Sequence, residues 1–283
     1  MKRAIAFVAL LFATLAAASH PAAAQNGSIS FTANIAPSGG VEEPVRGFPF
    51  YLLSRSFAEI QRQSEAALPK PDMDAYIDTL EVSSQLKAWM KKNHWVSFKG
   101  EDFIHKVHPA DVMDVPEFFQ AYVTRNTGDQ SINLPKPKYK ESLKAKDPAK
   151  YERLHAEYLD ALRHFVEANP DTIEGIDLNL ASIDPSNKWD DRLSKRKLEV
   201  HRHTLELAQS KYRVARVETN LQGEGFFAAI PPGNYWLSTL DVPATVGDLH
   251  LRWDVPVTVR PGETAHVALE NGNAVEPAAP AAP

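Results

Sequence analysis

The stretch "GEGFFAAIPPGNYWL", Gly223 to Leu237, decides the reading of the chain. Two glycines permit a tight turn, and Phe226, Phe227 and Ile230 form a short apolar run. Pro231-Pro232-Gly233-Asn234 reads as a second turn, with proline preset near φ −65° and glycine free to take positive φ. Tyr235 and Leu237 then return on one face of a following strand. The pattern predicts a β-hairpin whose apolar residues are folding elements.

Working outward, the flanking residues keep a period of two. Ala215, Val217 and Thr219 alternate with Arg216 and Glu218. Leu249, Leu251, Trp253, Val255, Val257 and Val259 alternate through "DLHLRWDVPVTV", and "TAHVALEN" closes with Ala265, Val267 and Leu269. Near the start, Ile29, Phe31, Ala33 and Ile35 alternate with polar residues, and "FPFYLLS" is a run of strand length. Pro49 in it points to an edge position or a strand start. One hairpin cannot stand alone in water. The expected architecture is therefore a seven-stranded β-sandwich assembled from residues 25–55 and 214–272, an α+β chain overall.

Between these parts, residues 56–213 change towards the helical period, which predicts an all-α helical insert of four to six helices. Ser56 with Glu59 makes a capping-box pattern. "DMDAYIDTLEVSSQLKAWMKKNH" has few breakers, with Asp72 or Asp74 as cap, and a further helix is interrupted near Pro116 and closed at Gly128. Asp147 precedes Pro148 at a helix start, and Tyr151, Leu154, Tyr158, Leu162 and Phe165 form one apolar stripe. Leu198, Leu205, Ala208 and Tyr212 recur at heptad-like spacing. Residues 273–283, rich in Pro and Ala, have no core-forming pattern and are expected to be disordered.

The two extended regions resemble the carboxypeptidase regulatory-like domains, also called transthyretin-like or prealbumin-like. Pro44-Val45-Arg46-Gly47 is similar to that family's step into its second strand. Thr219, Gly223, Phe226 or Phe227, Pro231-Pro232-Gly233, Tyr235 and Leu237 follow its later hallmark. Val257, Val259, Pro261-Gly262-Glu263-Thr264, Val267, Leu269 and Asn271 resemble its closing segment. The likeness covers under a third of the chain, and its motifs are turn and core positions that specify fold rather than chemistry. It implies an Ig-like, prealbumin-like sandwich serving as an exported accessory, adhesion or binding module. The family's short domain has no counterpart of the helical block.

Export is also the reading of the first residues. Lys2 and Arg3 precede an apolar run from Ala4 to Ala18, and Ala22-Ala23-Ala24 supplies small residues for cleavage before Gln25, so residues 1–24 are expected to be a signal peptide. The apolar run is shorter than the roughly 20 residues that span a bilayer, so no membrane span is expected after cleavage. The chain is expected to be bacterial, and its predicted location is periplasmic or secreted. With 43% hydrophobic and 24% charged residues the 283-residue chain has a globular composition. A formal net charge of −5 offers no bulk basic field for nucleic acid. The chain has no cysteine, which excludes disulfides, thiol chemistry and thiolate metal ligation.

For chemistry, His105 and His108 stand three apart, as do His164 and Glu167. Zinc sites use such pairs with a distant third ligand. His-x-x-Glu also occurs in zinc carboxypeptidases, whose catalytic domain resembles nothing else here. With no matched third ligand, these are weak metal candidates, and no catalytic residue, metal or cofactor is assigned. His201 and His203 fall on different helix faces. Trp95 and Phe98 are the candidate ligand platforms. The run "KPKYKESLKAKDPAK" is interleaved with Glu141 and Asp147 and reads as a solvated helix start in preference to a phosphate site. The expected function is a non-enzymatic binding or interaction protein, with the helical insert presenting the contact surface to an unidentified protein or glycan partner in the cell envelope. The alternatives are a metal-dependent hydrolase using His164 and Glu167, and a carbohydrate-binding module.

Overall fold

The computed structural model describes residues 25–127 and 132–275. The expected signal peptide, Gly128 and most of the Pro/Ala tail lie outside these residues. The chain is mixed α+β, 46% helical and 22% strand. It divides into two compact units: residues up to 64 with those from 203 onward, and residues 65–202.

The first unit is built from β-strands. One sheet places β1 (Gly27–Ile35) parallel to β10 (Thr264–Leu269) and antiparallel to β5 (Glu224–Ile230), with the short β2 (Glu43–Pro44) on the end of β1. The other has the order β4-β3-β6-β9, from β4 (Arg213–Glu218), β3 (Pro49–Leu53), β6 (Gly233–Ser238) and β9 (Asp254–Val259). A separate ribbon pairs β7 (Ala244–Val246) with β8 (Leu249–Leu251). Inward residues of both four-stranded sheets share one apolar interior: Ile29, Phe31 and Ala33 from β1, Phe50 and Leu52 from β3, Leu237 from β6 and Val257 from β9. Phe31 is at the centre, 5.0 Å from Phe50 and 5.8 Å from Phe227 between ring centroids.

Several expectations change. The described residues hold ten strands, not seven. The alternation from Leu249 to Val259 is one run in sequence, yet it splits into β8 and β9. Trp253 is the reason: its indole is fully buried, its indole N–H donates to Glu270 O (3.1 Å), and its backbone N–H donates to Thr239 Oγ1 (3.1 Å). Pro49 begins β3, which is a central strand. Asn271–Asn273 form a 3₁₀ turn, with Asn273 bonding back to Glu270 N and Ala268 O, so residues 273–275 are part of the fold.

Gly223–Leu237 is not a hairpin. β5 pairs with β1 in one sheet, whereas β6 pairs with β3 and β9 in the other. The turn is a corner that carries the chain between sheets. Pro231 and Pro232 have no N–H to continue a ladder. The positive φ falls on Ala229 (54°), not on Gly233. Across the corner, the Tyr235 hydroxyl donates to Pro231 O at 2.9 Å.

The second unit is helical, with its own core around Trp89, Phe98, Phe103, Phe118 and Tyr122. The described chain contains ten α-helices, more than four to six, because several are only one or two turns long. The expected continuous helix after Asp72 breaks into α2 (Met73–Asp78) and α3 (Ser84–Asn93). Ser83 caps α3 by accepting from Leu86 N, and Glu117 in turn accepts from Ser83 N (2.7 Å) and Oγ (2.6 Å). Pro116 separates α5 (Pro109–Asp114) from α6 (Pro116–Thr127). The long helices are α8 (Pro148–Ala168) and α10 (Ser186–Leu207). Leu198 on α10 is 69% exposed, so the heptad-like spacing there is not a continuous core stripe.

The expected boundaries of the helical insert, 56 and 213, also shift inward. Phe57 and Ile60 of α1 (Phe57–Ala67) pack with Leu53, Ala208 and Leu240, so the start of α1 and the π-turn Ala208–Tyr212 belong with the sheets.

Candidate functional site

The site with the most chemistry lies in the helical unit, where the lysine-rich loop folds against the first half of α8. Asp147 caps that helix by accepting from Lys150 N at 3.1 Å, and Pro148 takes its first turn. Tyr151, His155 and Tyr158 then recur at i, i+4 and i+7 on one face, where helical side chains meet. The preceding loop lays Tyr139 across them, with ring centroids 5.0 Å from Tyr151, 5.6 Å from His155 and 6.2 Å from Tyr158. His155 stacks on Tyr151.

Among the described residues, two of the three phenols have a hydrogen-bond partner. Tyr139 Oη is 2.6 Å from His155 Nδ1. Tyr151 Oη donates to both Glu141 oxygens, at 3.1 and 3.2 Å, and the Lys144 ammonium lies 5.5 Å from the Tyr151 ring centre. Burial raises the pKa of Tyr139, reinforced by the Glu141 charge. Burial likewise raises Tyr151, with the Glu141 hydrogen bond adding to it, and raises Tyr158. Which of Tyr139 Oη and His155 Nδ1 donates in their contact is set by the imidazole tautomer.

Beyond Tyr158 this cluster opens into a cleft of about 190 Å³. Leu154, Tyr158, Ala161 and Pro135 give it an apolar lining, while Lys136, Lys138 and Glu157 contribute charge. The Glu157 carboxylate is drawn to Arg153 at 3.3 Å. Among the described residues neither Lys136 nor Lys138 enters an ion pair.

Sequence reasoning reads both halves of this site as bland: Tyr151 and Tyr158 as core, the lysines as solvated. Leu162 and Val166 do fill the core, but the stripe's N-terminal half faces the loop. The legible signal is the aromatic Tyr139 inside a lysine run.

The residues singled out from sequence lie elsewhere. Phe98 is fully buried against Phe103 and Phe118, so it offers no face to a ligand. Trp95 is half-buried under the Lys106 ammonium, 4.6 Å from its ring centre. His108 is exposed at the start of α5, where its backbone N–H donates to Asp111 (2.9 Å). His105 lines a separate cleft with Glu101, Glu174 and Asp177. His164 is exposed, with Nδ1 2.9 Å from Asp160 O, and Glu167 is exposed one turn on. Among the described residues no three His, Asp or Glu side chains converge as a metal site.

In the sheet unit one carboxylate stands out. Asp254 lies beside Phe57, Leu240 and Trp253 in a small cleft of about 80 Å³. Its Oδ2 accepts from Ala58 N at 3.3 Å, while Oδ1 is buried without a partner among the described residues. Burial raises its pKa, against the opposing amides of Phe57 and Ala58 and the Ser238 hydroxyl.

No family model matches the chain, and neither the curated proteins nor the solved structures hold a significant match to it.

Proposed function

We propose that the chain is an exported, non-enzymatic binding protein of the periplasm or the cell exterior, built on a prealbumin-like, Ig-like sandwich. In this reading the helical unit supplies the contact surface, and the cleft beside Tyr158 is its centre. The resemblance of the turn and core positions to carboxypeptidase regulatory-like domains supports the first part, together with two sheets that share one interior. The observation that carries the second part is a concave apolar surface joined to two ammonium groups outside any described ion pair. The phenols behind it are engaged with His155 and Glu141, an arrangement that fixes a wall.

The test uses the chain from Gln25 onward. Binding of small molecules or envelope components that shifts the NMR signals of Tyr158 and Lys138 supports the reading. Turnover of a panel of esters, peptides or glycosides rejects it. Fractionation of a bacterial host expressing the full sequence, with the N-terminus of the exported product determined, checks the location.

A further inference from the structure

We propose that the Lys136–Tyr158 cleft binds a small carboxylate carrying one aromatic or compact apolar group; this assignment rests on the binding-protein reading above. Three observations point to that class.

The first is size and lining. An engineered apolar cavity of about 150 Å³ accepts benzene, and this cleft has about 190 Å³ with Leu154, Ala161 and the Tyr158 ring along it. It has room for one ring and a short polar head. The Tyr158 ring is held from behind by Tyr139, so the wall is preformed.

The second is charge. Lys136 and Lys138 both line the cleft. In extended chain, residues two apart share a side, and a following proline disfavours the helical region for Lys136. The one acid among its described lining residues, Glu157, is balanced by Arg153. The mouth is therefore net positive, although the whole chain is net negative.

The third separates a carboxylate from a phosphate. Phosphate sites are commonly cradled by successive backbone N–H groups or by a guanidinium fork. Here Pro135 and Pro137 remove two of the loop's amide donors, and the cations lining the cleft are lysines. Two flexible point charges over an apolar wall suit a singly charged head on an apolar body.

The experiment is titration of the chain from Gln25 onward with benzoate and phenylacetate, followed by calorimetry and by NMR. Benzamide, benzylammonium and phenyl phosphate serve as comparisons. Benzoate or phenylacetate should bind best, and the double variant Lys136→Met/Lys138→Met should weaken it by roughly tenfold or more while keeping the apolar stems. Leu154→Trp should abolish binding by filling the cleft. Ala161→Phe, at an exposed position one helical turn from Tyr158, checks this should Leu154→Trp disturb folding. Benzamide binding as tightly as benzoate, or phenyl phosphate binding more tightly than both, overturns the carboxylate assignment and leaves the binding-protein reading standing. Carboxylate binding unaffected by both cleft-filling variants overturns the location. Failure of every probe to bind overturns the carboxylate assignment, and catalytic turnover of the substrate panel overturns the broader reading as well.

Discussion

Ser28 and Thr264 share a hydrogen bond of 2.6 Å between their hydroxyls, across 236 residues of sequence. They are register partners at one end of the parallel β1–β10 ladder, which brings together strands from opposite ends of the described chain. The whole helical unit lies between them in sequence. The entropy of closing a loop grows only slowly with its length, so a long insertion is thermodynamically tolerable. What it requires is a strong interior where the ends meet, and Phe31, paired with Val267 in the same ladder, supplies it.

Phe31→Ala is expected to cost about 3–5 kcal/mol, as deletion of a fully buried aromatic side chain does. Its neighbour Gly225 tests the same spot from the other direction. A Cβ there would lie 2.2 Å from the Phe31 ring, so Gly225→Ala must displace that ring or its own strand. The expected cost is about 1–3 kcal/mol, the range for overpacking. Phe226 on the same strand is 54% exposed, and Phe226→Ala should change stability by no more than about 0.5 kcal/mol. Denaturant titrations of the three variants check the order. Equal costs for the two phenylalanines would show that β5 does not face the interior as described.

The period of two makes such faces legible, because burial follows it residue by residue. Ile29, Phe31, Ala33 and Ile35 are all buried. Strand partners are not legible in the same way. Gly223–Leu237 has the composition of a hairpin, yet its halves belong to different sheets, since turn residues specify a bend and not which sheet each arm joins. The split between β8 and β9 depends on where the Trp253 indole finds an acceptor, Glu270 O, and this partner is distant in the local pattern. The candidate site was hidden for a related reason. A stripe at i, i+4 and i+7 reads as core whether it meets another helix or an irregular loop, and Tyr139 comes from such a loop.

Asp254 should make stability depend on pH in an unusual direction for an acid. Its folded pKa is raised, so the folded state holds the proton more tightly than the unfolded chain does. Its stabilising contribution is full below the unfolded value of about 3.9 and is lost as pH rises through the folded value. At neutral pH the carboxylate is therefore held at a cost. In Asp254→Asn the side-chain oxygen can still accept from Ala58 N without that charge. The variant is expected to gain stability relative to the natural chain at pH 7 and to lose the advantage at pH 3. Thermal unfolding of both proteins across this range decides it, and a variant less stable at pH 7 than at pH 3, relative to the natural chain, refutes it.

Arg196 closes a helix that lacks a basic residue of its own in the last turn. From α10, its Nη2 donates to Glu65 O (3.1 Å) and Leu68 O (2.8 Å), and its Nε donates to Leu68 O (3.0 Å) and Pro69 O (3.1 Å). These carbonyls end α1 and continue just beyond it, where the helix leaves acceptors without intrahelical donors. Arg196→Ala should cost about 1.5–3 kcal/mol, the range for hydrogen bonds to a charged group. Arg196→Lys should recover only part of it, because a single ammonium cannot reproduce the planar fork. Denaturant titration gives the cost. Faster amide exchange in the last turn of α1 would localise it, and full recovery by lysine would show that charge alone matters.

The Tyr139–His155 pair is testable as a coupling. Tyr139→Phe removes the hydroxyl and keeps the ring, while His155→Phe removes the ring nitrogen and keeps an aromatic face for Tyr151. If the 2.6 Å contact holds the loop to α8, the double-mutant cycle should give a favourable coupling of about 1 kcal/mol. Alkaline pH offers an independent check. Because burial raises the Tyr139 pKa, its contribution is complete below the unfolded phenol value of about 10 and is lost as pH climbs through the folded value. Tyr139→Phe should therefore unfold less steeply with rising pH above that point than the natural chain. A coupling near zero, with alkaline unfolding unchanged, would mean that the Tyr139–His155 hydrogen bond does not help to hold the loop, leaving the Tyr151–Glu141 bonds and apolar contact to do so.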